Sequence, residues 1–134
     1  KVKKICELCD VIHSVDREKI VKLISELKFQ GINIPKLFLQ VNIGLESQKS
    51  GVHPNDVKEF IEMSFKKYRV SFEGLMCLPP EGKDPKEYFD QLKTLSLSNN
   101  LEKLSMGMSD DYLSALESGA THIRVGSSIF GERT

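Results

Sequence analysis

Two short segments near the C-terminal end hold the residues whose types and spacing could do chemistry. The first is Met106-Gly107-Met108-Ser109-Asp110-Asp111. An apolar strand ends there, a glycine permits close backbone approach, and Ser109 falls at the expected N-cap of the next helix. A helix N-terminus offers unpaired N–H groups and the positive end of its dipole, so a phosphate can dock beside the hydroxyl. The same pattern also serves a serine that only caps its own helix. The second segment is Ile123-Arg124-Val125-Gly126-Ser127-Ser128. Strand alternation sets Arg124 and Gly126 on one face, Ile123 and Val125 on the other. An arginine in an apolar strand is costly to bury without an acceptor, so Arg124 needs either a ligand or one of the chain's own acids. Gly126 and the serines after it open a short turn of bare backbone donors, a second anion cradle.

Other residues suggest chemistry that their surroundings do not support. Cys6-Glu7-Leu8-Cys9 has the C-x-x-C spacing, yet no second pair completes a zinc site. The segment reads as helix, whereas redox pairs open a helix after a strand. His13 and His122 fall in strands and read as satisfied core histidines; His53, beside Pro54, reads as loop surface. Asn42 ends a strand on a face that parity leaves open. Lys49 and Lys83 lie in loops near the same mouth and reach a phosphate at best. No catalytic residue and no metal-ligand set emerges.

The elements that must position these segments repeat one unit five times. Val11–Val15 reads as a strand, Asp16 as an N-cap, and Ile20, Val21, Leu23, Ile24 and Leu27 follow the helical period to a stop at Gly31. Leu37 to Ile43 is the second strand, with a helix over about 55–66. Val70 to Leu78 is the third, ended by Pro79-Pro80. Asp84, Pro85 and Glu87 then supply a cap, a first-turn proline and a capping-box acid. Lys103 to Met108 is the fourth strand, followed by a helix from Asp110 to Ser118. His122 to Gly126 is the fifth, leading into a short helical turn. Regular βα alternation implies an α/β fold with a parallel sheet, either an open sheet or part of a barrel. Two observations favour the barrel. No glycine-rich phosphate loop follows the first strand, as an open dinucleotide-binding sheet would have. The anion-binding pattern follows the last two strands instead, where barrels place a phosphate after strands seven and eight. The expectation is strands four to eight of a (β/α)8 barrel, incomplete in this chain. The opening Lys1-Val2-Lys3-Lys4-Ile5, without Met, points the same way: residues 1–134 as the C-terminal part of one domain, its N-terminal strands missing.

Composition excludes several classes. Lys plus Arg and Asp plus Glu are 19 each in 134 residues, so no net charge draws the chain to nucleic acid or an anionic membrane. No apolar run approaches a membrane span. Three cysteines make no disulfide framework, which suits a cytoplasmic protein.

The segments Leu104-Ser105-Met106-Gly107-Met108-Ser109 and Arg124-Val125-Gly126-Ser127-Ser128-Ile129-Phe130-Gly131-Glu132-Arg133 together resemble the YggS/PROSC family of pyridoxal 5′-phosphate (PLP) binding proteins. Ile12-His13-Ser14-Val15-Asp16, Gln40-Val41-Asn42-Ile43, Gln48-Lys49-Ser50-Gly51 and Gly74-Leu75-Met76 fit it as well. The resemblance implies the barrel shared with the N-terminal domain of alanine racemase, and a PLP carrier or homeostasis role without catalysis of its own. It implies that Ser109 binds the cofactor phosphate with the backbone N–H groups of Gly126 and Ser127, that Arg124 faces the pyridine nitrogen, and that Met106 and Met108 line the ring's surroundings, with core packing the alternative use for at least one of them. The family's covalent lysine lies on the first barrel strand, so contacts from this chain are non-covalent. Two alternatives stand beside this reading: a fragment of a PLP-dependent amino-acid racemase, and an open-sheet module for another phosphate. The expected partners are the small-molecule cofactor and either the missing N-terminal half or a second copy.

Overall fold

In the computed structural model, residues 1–126 are described. Five strands, β1 (Val11–Val15), β2 (Lys36–Val41), β3 (Gly74–Cys77), β4 (Lys103–Met108) and β5 (His122–Arg124), alternate with helices. The helices are α1 (Val2–Leu8), α2 (Glu18–Phe29), α3 (Val57–Tyr68), α4 (Pro85–Ser98) and α5 (Tyr112–Glu117), with a 3-10 turn at Pro54–Asp56 ahead of α3. The strands lie in the order β1-β2-β3-β4-β5, and every neighbouring pair is parallel. An open doubly wound sheet reverses its strand order at a switch point; this sheet does not reverse. It curls instead, so that His13 on β1 reaches Ser105 on β4 and His122 on β5. The result is a curled half-barrel with its strand C-termini at one mouth.

Alternation divides the strand residues between two environments. On the convex side Leu37, Leu39, Val41, Leu75, Cys77, Leu104 and Met106 pack with Val21, Ile24, Val57, Phe89, Leu92 and Ala115 from the helices. Burying each large side chain contributes about 1.5–3 kcal/mol, which makes this cluster the main source of stability. Phe38 and Met76 are also buried but stand apart from that cluster, on the concave side. Buried serines between the helices are satisfied by backbone carbonyls: Ser25 donates to Tyr68 at 2.9 Å and Ser64 to Phe60 at 2.8 Å.

Local boundaries depart from the sequence expectations in places that matter. Asp84 does cap α4, accepting from the Lys86 N–H at 3.1 Å with Pro85 in the first turn. Asp16 does not cap α2; the N-cap is Arg17, and the Asp16 carboxylate takes the Arg17 Nε at 3.0 Å. The third strand is ladder-paired only over Gly74–Cys77, although Val70 and Phe72 before it are buried. Helix α5 starts at Tyr112 with Asp111 as N-cap, so Ser109 lies in the turn ahead of the helix and is not its cap. β5 ends at Arg124, and Gly126 is already helical. Among the described residues no helix is long and apolar enough to cross a membrane, and no cluster of ligating side chains could hold a metal.

Candidate functional site

The mouth of the half-barrel is organised around Arg124. Its guanidinium Nη1 donates to the Ser105 hydroxyl at 2.6 Å, and Nη2 donates to the Cys77 carbonyl at 3.2 Å. It therefore spans from β5 across β4 to the end of β3. Five guanidinium N–H groups are available in an arginine, and among the described residues two hydrogen bonds engage them. Burial pulls the Arg124 pKa below its ordinary value, with Cys77 and Asp111 acting in the opposite direction; a guanidinium stays protonated regardless. The structural salt bridge that sequence alone left open is not found: among the described residues Arg124 has no carboxylate partner within ion-pair distance.

Below Arg124 lies a second layer. Ser105, fully buried, is 2.7 Å from His13 Nδ1. The His13 ring stacks on Phe38, with centroids 4.9 Å apart and planes 7° from parallel. His122 meets both rings edge-on, at 5.0 Å from Phe38 and 5.7 Å from His13. Burial lowers the His13 pKa, and the charges of Arg124 and His122 lower it further. His122 Nδ1 is 2.9 Å from the Thr121 hydroxyl, which itself bonds the Leu104 carbonyl at 3.1 Å. Both histidines are thus hydrogen-bonded but only half-buried, outside the core that their strand positions suggested. Ser105 and the Cys77 carbonyl are what sequence reasoning missed. The available signal was a serine within an apolar strand, two residues before Gly107.

The turn after β4 is built by Gly107 and Asp111. Gly107 has φ +103°, and a Cβ there would meet the Ala115 Cβ at 2.7 Å and Tyr112 Cα at 3.3 Å. Its absence of a side chain lets α5 descend onto the strand end. Asp111 accepts from the Met108 N–H at 2.7 Å and returns its own N–H to the Met108 carbonyl at 3.1 Å. Ser109, half-buried, rides on that turn. Because Met108 pairs with Arg124, Ser109 and Gly126 lie one and two residues beyond that pair, at the same end of neighbouring strands. Gly126 is exposed, with nothing described within 4 Å of where a Cβ would stand. Ser127 lies outside the described residues. Met106 is corrected: it is fully buried in the convex core cluster, on the face opposite Ser105, and has no surface with which to line a ring.

The remaining candidates are occupied elsewhere. Asn42 closes its own turn, donating to the Glu46 carbonyl at 2.7 Å and accepting the Glu46 N–H at 3.1 Å. Lys49 pairs with Glu46 at 3.2 Å. Cys6 is buried in α1 and Cys9 exposed at its end. Burial pushes the Cys77 thiol up to about 12, so the thiol is inert even though its carbonyl serves the site.

A half-barrel with this mouth defines a class. The chain matches the alanine racemase N-terminal domain over residues 1–134 and belongs to that family. Among individual proteins, it is 36% identical over 142 residues to a pyridoxal phosphate homeostasis protein of Aquifex aeolicus, covering 99% of this chain and 62% of that one. It is 38% identical over 138 residues to the Pseudomonas aeruginosa protein of the same name, covering 99% and 60%. PipY of Synechococcus elongatus superimposes without PLP at a TM-score of 0.88 and 33% identity, covering 98% of this chain and 66% of PipY. The PLP-bound form of PipY gives 0.83 and 34%, covering 98% and 65%. The chain thus spans about three fifths of the length of the curated relatives it matches.

Proposed function

We propose that this chain is the phosphate- and pyridine-gripping part of a PLP-binding protein that carries the cofactor rather than using it in catalysis. One observation carries the reading: an arginine at the mouth, tethered to Ser105 and the Cys77 carbonyl, with N–H donors that no described residue takes. The homeostasis proteins and PLP-bound PipY, similar along nearly the whole chain, support it. Residues 1–134 then form strands four to eight of one barrel domain in a cytoplasmic protein.

The residues suit the group. Arg124 offers hydrogen-bond donors at strand level, where a pyridine nitrogen could accept one. Ser109 and the Gly126 N–H sit at the rim, and Ser127 is the remaining candidate for the phosphate. When bound, PLP supplies an aldehyde and an electron-accepting ring. A guanidinium gives no proton to the ring nitrogen, so the ring stays a weak electron sink. That argues for carriage over carbanion chemistry. Tyr68, a potential proton-transfer group, is held by Glu18 at 2.5 Å between α2 and α3.

Titration of the chain with PLP and separately with inorganic phosphate tests this. Ser109→Ala should weaken phosphate binding by about 1–2 kcal/mol, the scale of one hydrogen bond to a charged group. Arg124→Gln should spare phosphate and change the absorbance of bound PLP. The reverse pattern would assign the two residues the wrong way round, and no PLP binding would end the proposal.

A further inference from the structure

Ser105 is a fully buried hydroxyl between two nitrogens, 2.6 Å from Arg124 Nη1 and 2.7 Å from His13 Nδ1. Arginine can only donate, so the serine oxygen accepts from Arg124. The hydroxyl proton must then go elsewhere, and among the described residues the one acceptor in reach is His13 Nδ1. His13 is therefore neutral, with its own proton on Nε2. Its position is over-determined: Phe38 stacks on one side and His122 closes the edge.

We propose that Ser105 and His13 are positioning residues for Arg124, joined in a directional hydrogen-bond relay that loosens the guanidinium when His13 takes a proton. A protonated His13 becomes a donor at Nδ1. Ser105 would then face two donors, and its own proton, on a fully buried oxygen, would have no acceptor among the described residues. An unsatisfied buried donor is costly. The new imidazolium would also stand one serine away from the Arg124 cation. The groups facing His13 offer nothing to compensate: Phe38 from β2, Ser105 from β4, and His122 and Arg124 from β5, with Asp111 the acid nearest in effect to Arg124. Arg124 seating and His13 protonation therefore oppose each other, and binding at Arg124 inherits a pH dependence. The ligand arm of this inference rests on the reading of Arg124 as the pyridine partner; the relay does not.

The test uses the full chain labelled with 15N-histidine. Imidazole nitrogen shifts should show His13 neutral with the proton on Nε2 and titrating below 6.5, the ordinary value. Ser105→Ala should raise that titration point and mix the tautomers, and Ser105→Thr, which keeps the hydroxyl, should restore both. In parallel, PLP affinity between pH 7.5 and 5 should fall more steeply in the parent than in His13→Gln, by about fivefold or more, the lower range of site coupling. Inorganic phosphate affinity should show no such difference. A proton on Nδ1, or titration at or above 6.5, overturns the relay whatever PLP does. Equal pH slopes in the parent and His13→Gln overturn its effect on the ligand. The expected imidazole signature with no PLP binding at any pH supports the relay and refutes the proposed function instead.

Discussion

Substituting Gly107 with alanine tests the geometry that brings the two C-terminal segments together. Two costs act at this position. At φ +103° a side chain is strained by about 1–2 kcal/mol. The new methyl would also stand 2.7 Å from the Ala115 Cβ, 3.3 Å from the Ile123 Cγ2 and 3.3 Å from the Tyr112 Cα. None of these is the flexible end of a long side chain, so α5 must move. Overpacking of this kind costs about 1–3 kcal/mol. Alanine returns about 0.4–1 kcal/mol by restricting the unfolded chain. Gly82 separates the terms: its φ is +76°, yet nothing lies within 4 Å of its Cβ position. Gly82→Ala should carry the backbone strain and the entropic return alone. Urea denaturation of both variants should place Gly107→Ala below Gly82→Ala by about 1–3 kcal/mol, the overpacking contribution. A difference under about 0.5 kcal/mol, within ordinary surface scatter, would mean that α5 does not press on the strand end as described.

Three further outcomes follow from the same structure. Cys9 should react with a thiol reagent at pH 8 while Cys77, buried and pushed up to about 12, stays unmodified in the folded chain; equal labelling rates would contradict its burial. Phe89→Ala, removing a fully buried ring from the convex core, should cost about 3–5 kcal/mol of unfolding free energy, and a loss below 1 kcal/mol would refute that packing. His13 has a folded-state pKa below its ordinary 6.5, so the unfolded chain binds the proton more readily. Its stability contribution is complete above 6.5 and declines as pH falls from there toward the folded value. The stability curve of His13→Gln should lack that component, and identical curves for variant and parent would count against it.

Much of this architecture was legible in the sequence because it is written in local chemistry. The βα alternation and the Asp84-Pro85 helix start depend on near neighbours in the chain. Strand alternation by itself also sets Arg124 apart from Ile123. What tertiary structure decided involves distant residues or competition between equivalent local choices. Helix α5 starts at Tyr112, and Asp111 ahead of it turns its carboxylate back to the Met108 N–H, which leaves Ser109 inside the turn. Met106 went to the core because β4 turns that face toward the helices, and a methionine suits a core as well as a cofactor pocket. The relay from Arg124 through Ser105 to His13 joins residues 19 and 92 positions apart. It exists only because the parallel sheet curls, carrying the first strand's interior side chains across to the fourth and fifth. No local pattern encodes that meeting; the closure of the sheet creates it.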